Sequence, residues 1–170
     1  MAPRRAINSR TASALVYLGY QLLQPDRRNA LTSSTIRSLE QADEWVLCSL
    51  NPISIEALQP EDPRPEEVFH DFPVLGKTVI KDPSATLKLL RALNSGIANF
   101  DGMAANCFNP RHGIRAKLGS EVVDLVICFE CQQIVIHATN RESVLTDDSA
   151  KPVFDKALTD AGVPLPKDLH

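Results

Sequence analysis

The chain has 170 residues, enough for one domain of ordinary size that buries a core without staples. It is 44% hydrophobic and 23% charged with a formal net charge of -3, so the clustered basic excess of a nucleic-acid-binding surface is missing. No run reaches the roughly 18 apolar residues of a membrane span.

The N-terminus opens with Arg4, Arg5 and Arg10, which read as a solvated basic start, and continues into a short apolar run. That is the outline of a secretory signal. Tyr17, Gly19, Tyr20 and Gln21 interrupt the run, however, and no small-x-small cleavage site follows. Ala12, Leu15, Val16, Gly19, Leu22 and Leu23 fall at helical spacing instead and predict an amphipathic helix that stops at Pro25. A short second helix follows, capped by Ser33, Ser34 or Thr35, with Ile36, Leu39 and Ala42 inward. Residues 1–42 are thus read as an N-terminal helical extension and 43–170 as an α+β domain.

"EWVLCSL" (44–50) predicts a strand ending at Asn51-Pro52. Pro52, Pro60, Pro63 and Pro65 with five acidic residues make the next stretch a loop. "VFHDFPVLGKTVI" (68–80) resumes strand character, with an edge or bend where Pro73 lacks a backbone donor. Its "LGKT" resembles a phosphate-loop fragment, but Asp71 stands where the upstream glycine is required and the lysine lies in a strand pattern. Asp82 and Pro83 then open a helix over about 83–99, with Leu87, Leu90, Ala92, Leu93 and Ile97 as its apolar stripe. "KLGSEV" predicts a hairpin turn on Gly119-Ser120. "VVDLVICFECQQIVIHA" (122–138) reads as one long strand, bulged near Gln132-Gln133. The last helix spans about 152–161, with Val153, Ala157, Leu158 and Ala161 inward and Gly162 as its stop. The expected fold is α+β, an antiparallel sheet of four or five strands with helices packed on one face.

Three of the four cysteines lie between Cys107 and Cys131, together with Pro110-Arg111-His112-Gly113 and Cys128-Phe-Glu-Cys131. A zinc site needs ligands converging from a turn, and a thioredoxin-like pair sits where a helix begins. Within an uninterrupted strand, side chains three apart point to opposite faces, so Cys128 and Cys131 neither share an ion nor bond to each other unless a bulge intervenes. Pairing Leu118 with Glu121 sets Arg115 opposite Asp124, His112 opposite Ile127 and Phe108 opposite Cys131. One face then carries Asn109, Arg111, Arg115, Asp124, Cys128 and Glu130, with Arg115-Asp124 a cross-strand ion pair. His112 and Cys131 share the other face about 13 Å apart along the ladder. Asn109 to Gly113 also carries turn signals, and a loop there would bring His112 and Cys107 back toward Cys131. Buried free thiols are the default for the cysteines, and Cys48 in the first strand reads as core. A Cys107-Cys131 disulfide, a metal site and a Cys–His dyad are the rivals. His70-Asp71 reads as an exposed polar pair, and His137 and His170 as solvated.

"SLNP" (49–52), "FHDFPVLGKTVI" (69–80), "CFNPRHGIR" (107–115), "VDLVICFECQQ" (123–133) and "PVFDKALTDAGVPL" (152–165) resemble an uncharacterised family of bacterial proteins, many of them lipoprotein-like. The resemblance spans about 43–166 and implies a small domain without established catalytic residues. It marks Cys107, Pro110, Arg111, His112, Gly113, Cys128, Glu130 and Cys131 as its motif positions. It also implies export, whereas this chain has no cysteine placed for lipid attachment, and its residues alone favour the cytoplasm.

The leading functional expectation is a non-enzymatic binding or accessory module meeting a protein partner through Arg111, Arg115, Asp124 and Glu130. The first alternative is a metal-binding or thiol-dependent protein built on Cys107, His112, Cys128 and Cys131, with zinc as the cofactor if there is one. A toxin-neutralising or defence-related partner protein is the third reading, by analogy of fold alone.

Overall fold

The computed structural model describes residues 29–167. Its centre is a seven-stranded antiparallel sheet in the order β2-β3-β1-β4-β5-β6-β7. The strands are β1 (Glu44–Leu50), β2 (Val68–Phe69), β3 (Phe72–Val79), β4 (His112–Leu118), β5 (Glu121–Cys128), β6 (Gln133–His137) and β7 (Arg141–Leu145). Among the described residues three α-helices accompany them: α1 (Ser33–Glu40), α2 (Pro83–Ala98) and α3 (Lys151–Asp160). No helix among the described residues is long and apolar enough to cross a membrane. The helix expected before Pro25 lies outside the described residues, as does His170.

The sheet is larger than the expected four or five strands for three local reasons. The 68–80 stretch turns at His70-Asp71 and gives β2 and β3. The 122–138 stretch turns at Phe129–Gln132 and gives β5 and β6. Arg141–Leu145, for which no element was expected, pairs along β6 as an edge strand.

All three helices pack on one face. Leu39 of α1, Leu89, Leu90, Leu93 and Ile97 of α2, and Phe154 and Leu158 of α3 meet Trp45, Leu47, Ile114, Leu125, Ile127, Ile134 and Ile136 of the sheet in one core. Each such side chain taken fully out of water contributes roughly 1.5–3 kcal/mol. Since Leu31 and Leu39 share this core, α1 is part of the packed unit. Its cap is Thr32, one residue before the expected candidates, whose hydroxyl accepts from the Thr35 amide at 3.3 Å. Asp82 caps α2 with Pro83 in its first turn, as expected. The buried stripe of α2 is Leu89, Leu90, Leu93, Gly96 and Ile97, and Leu87 faces solvent.

The β4–β5 hairpin has the expected register, with Leu118 opposite Glu121, Arg115 opposite Asp124 and His112 opposite Ile127. Its turn uses Gly119 at φ 59°, the left-handed angle that the first loop position demands. A second, smaller core covers the outer face of the sheet, where Cys48, Leu50, Val126 and Val135 meet Phe69 and Phe72. The β2–β3 corner folds back to make it. Phe69 lies so close to Gly113 of β4 that a Cβ there would come within 2.8 Å of its ring.

Candidate functional site

Strand β5 ends at Cys128, and the chain reverses through Phe129, Glu130, Cys131 and Gln132 before β6. Gln132 takes a left-handed φ of 59°, and its amide donates to the Phe129 carbonyl at 3.1 Å. Strand alternation therefore stops at Cys128, and the expectation that Cys128 and Cys131 point apart fails with it. Their Cα atoms are 5.2 Å apart and their sulfurs are joined in a disulfide. The Cys131 amide also donates to the Cys128 sulfur at 3.0 Å.

Cys107 arrives from the irregular segment after α2. That segment docks on the turn through Ala105, whose amide donates to the Cys131 carbonyl at 3.3 Å, and Asn109, whose amide donates to the Cys131 sulfur at 3.3 Å. These two contacts set the Cys107 sulfur 3.3 Å from the Cys131 sulfur. Strand β4 begins at His112, and Arg111 just before it still donates to the Ile127 carbonyl and accepts from the Leu50 amide, so it is the chain from Cys107 to Pro110 that lies outside the ladder. Three sulfurs thus converge. Cys128 and Cys131 are buried and Cys107 is exposed, so Cys107 is the one a solute meets.

His112 does not join them. Its Nε2 lies 2.8 Å from Asp155 Oδ1 of α3, and its ring packs edge-on to Phe129 and Phe154. A carboxylate only accepts, so in the neutral ring Nε2 carries the proton and Nδ1 is left as a buried acceptor without a partner among the described residues. Burial pushes the His112 pKa below its ordinary value, outweighing the opposing hydrogen bond and charge of Asp155. Burial pushes Asp155 the other way, but hydrogen bonds from His112 and Lys151 prevail and hold its carboxyl below the usual range. The His112–Phe129–Phe154 cluster anchors the turn from beneath, with Phe129 and Phe154 centroids 5.3 Å apart.

The four charged candidates are engaged with neighbours. Arg115 Nε and Nη2 grip Asp124 at 2.8 and 2.7 Å, and Arg111 Nε lies 3.1 Å from Glu130 Oε1. Arg111 Nη1 also donates to the Lys167 carbonyl at 3.2 Å, which ties the turn to the C-terminal segment. Arg111 is 8% and Asp124 5% exposed. Cys48 is enclosed in the outer core, and burial pushes its thiol up to about 12. It is the inert cysteine the sequence suggested.

Sequence reasoning missed a second constellation. His70 stands at φ 51° at the β2–β3 corner, and its Nε2 meets Asp124 Oδ2 at 3.0 Å. Its ring stacks on His137 at 3.6 Å, so neither histidine is the solvated group expected. Sequence spacing carried no signal, because the partners come from separate strands joined only by the folded-back corner. In the disulfide-bonded form, no group of three or more His, Cys, Asp or Glu among the described residues is arranged to hold a metal ion.

No protein-family model, curated protein or solved structure matches the chain. Function is therefore read from the geometry.

Proposed function

We propose that this is a thiol-dependent protein that exchanges disulfides with a dithiol or disulfide partner through Cys107, Cys128 and Cys131. The observation that carries it is the 3.3 Å approach of the exposed Cys107 sulfur to Cys131, whose own bond to Cys128 is buried. The Cys107 thiolate attacks the Cys131 sulfur. A Cys107–Cys131 bond forms, the Cys128–Cys131 bond breaks, and the electron pair leaves on Cys128. The disulfide has then moved to an exposed sulfur. One thiolate of a partner dithiol attacks Cys107 and releases Cys131 as thiolate. The partner's second thiolate attacks the mixed disulfide and releases Cys107, so the partner is oxidised and this site holds three thiols. The reverse sequence oxidises the chain. A partner surface built on Arg111, Arg115, Asp124 and Glu130 is the weaker reading, because these charges are turned on one another and two of them are enclosed.

The test is a trap in the full chain. Cys128→Ser is expected to form a Cys107–Cys131 disulfide under mild oxidation, identified by peptide mass spectrometry. Reduction of the wild-type disulfide by dithiothreitol is expected to slow at least about tenfold in Cys107→Ser, since access then requires local opening. Three free thiols in oxidised Cys128→Ser, or an unchanged reduction rate in Cys107→Ser, would remove the proposal.

A further inference from the structure

We infer that, once its disulfide is reduced, the same turn binds a thiophilic d10 metal ion, zinc foremost, through Cys107, Cys128 and Cys131, so that metal and disulfide exclude each other. The inference rests on the thiol reading above for which sulfurs meet.

Three features of the site carry it. The C-x-x-C pair lies on a tight turn between two antiparallel strands, the setting from which zinc ligands converge. Zinc–sulfur bonds of about 2.3 Å in a tetrahedron hold ligand sulfurs about 3.8 Å apart. Cys107 and Cys131, at 3.3 Å, need open by only about half an ångström to meet that spacing. Backbone amides are already aimed at two of the sulfurs, from Cys131 to Cys128 at 3.0 Å and from Asn109 to Cys131 at 3.3 Å. Amide donors favour thiolate over thiol, and the thiolate is the metal ligand.

The supporting shell is in place as well. Phe129 is fixed between His112 and Phe154, and Glu130 is held by Arg111, so both residues between the ligands are anchored. His112 is committed to Asp155 and supplies no fourth ligand. Because Cys107 is exposed, the fourth position faces solvent and takes water or an exogenous ligand, the open arrangement of three protein ligands. The balance is complete with a dithiol reductant, which gives two electrons and two protons to the Cys128–Cys131 bond and becomes a disulfide itself. Metal binding then displaces protons from the three thiols.

The experiment uses the full chain, reduced with a phosphine that does not compete for metal. Cd2+ is titrated as the probe, read by its thiolate-to-metal charge-transfer absorption, and Zn2+ affinity is measured against a chromophoric chelator. One equivalent is expected to bind the reduced chain and none the oxidised chain. Cys107→Ser, Cys128→Ser and Cys131→Ser are each expected to weaken binding at least about tenfold. Cys48→Ser, outside the site, is expected to leave it unchanged. Reduced protein that takes up no metal, or binding that survives Cys107→Ser undiminished, overturns the inference. If metal uptake fails while Cys128→Ser still traps the Cys107–Cys131 bond, the metal inference alone falls. If both fail, the thiol reading falls with it.

Discussion

His112 lies at the junction of sheet, helix and cysteine turn, and its protonation state is set by two opposed forces. Burial disfavours the imidazolium, whereas Asp155 at 2.8 Å favours it, and burial prevails. A histidine whose folded pKa is held below its ordinary 6.5 leaves the unfolded chain binding more protons as pH falls through that value. Its contribution to stability is therefore intact above about 6.5 and lost progressively below it, by up to about 1.4 kcal/mol per pH unit. His137, also lowered by burial first and then by His70, adds a slope of the same sign from the outer face. His112→Gln leaves that second slope in place. Urea unfolding at a series of pH values from 7.5 to 5 is thus expected to show a smaller loss in His112→Gln than in wild type. Parallel curves would mean that burial and Asp155 cancel and leave the His112 pKa unshifted, and a larger loss in His112→Gln would mean that Asp155 keeps His112 charged in the folded protein.

At the scale of elements, the decisive feature is the turn at Phe129–Gln132. Much else was legible because local chemistry announced it. Asp82-Pro83 opens α2, Gly119-Ser120 turns β4 into β5, and the register from Leu118–Glu121 to His112–Ile127 is the expected one, whereas the expected pairing of Phe108 with Cys131 is replaced by the turn. "CFECQQ" has no glycine, proline, asparagine or aspartate to signal reversal. Moreover, β5 and β6 are central strands buried on both faces, so their apolar residues run on without the alternation that would have marked two strands. The thiol cluster was hidden for the same reason. Read as one strand, the stretch makes its two cysteines face apart, whereas in the turn they bond. The turn is closed by Gln132 at φ 59°, an angle costing a non-glycine residue about 1–2 kcal/mol, and its buried Oε1 has no partner among the described residues. Gln132→Gly is accordingly expected to raise stability by about 0.5–1 kcal/mol, checked by the urea midpoint of the oxidised protein. A lower midpoint would show that the Gln132 side chain contributes more in packing than its backbone angle costs.

Across the whole molecule, a redox or metal switch requires that the fold outlast the bond that switches. The Cys128–Cys131 disulfide spans a sequence separation of only three residues. Closing so short a loop constrains the unfolded chain by about 2 kcal/mol. Other interactions hold the same turn independently. Strands β5 and β6 pair from Asp124–His137 to Cys128–Gln133, with Ile127 and Ile134 fully buried on either side of the reversal. Phe129 is packed with His112 and Phe154, and Arg111 links Glu130 to the carbonyl of Lys167. On the outer face, the β2–β3 corner is fastened by contacts that do not use the sulfurs, Phe69 on Gly113 and His70 on Asp124. Reduced, metal-free protein is therefore expected to remain folded and cooperative, with an unfolding free energy lower by about 2 kcal/mol than that of the oxidised form. Paired urea titrations with and without a phosphine reductant measure the difference, and Cys48→Ser checks that the buried fourth thiol takes no part. Loss of the folded baseline on reduction alone would make the disulfide a structural staple, and neither exchange nor metal uptake could then be its function.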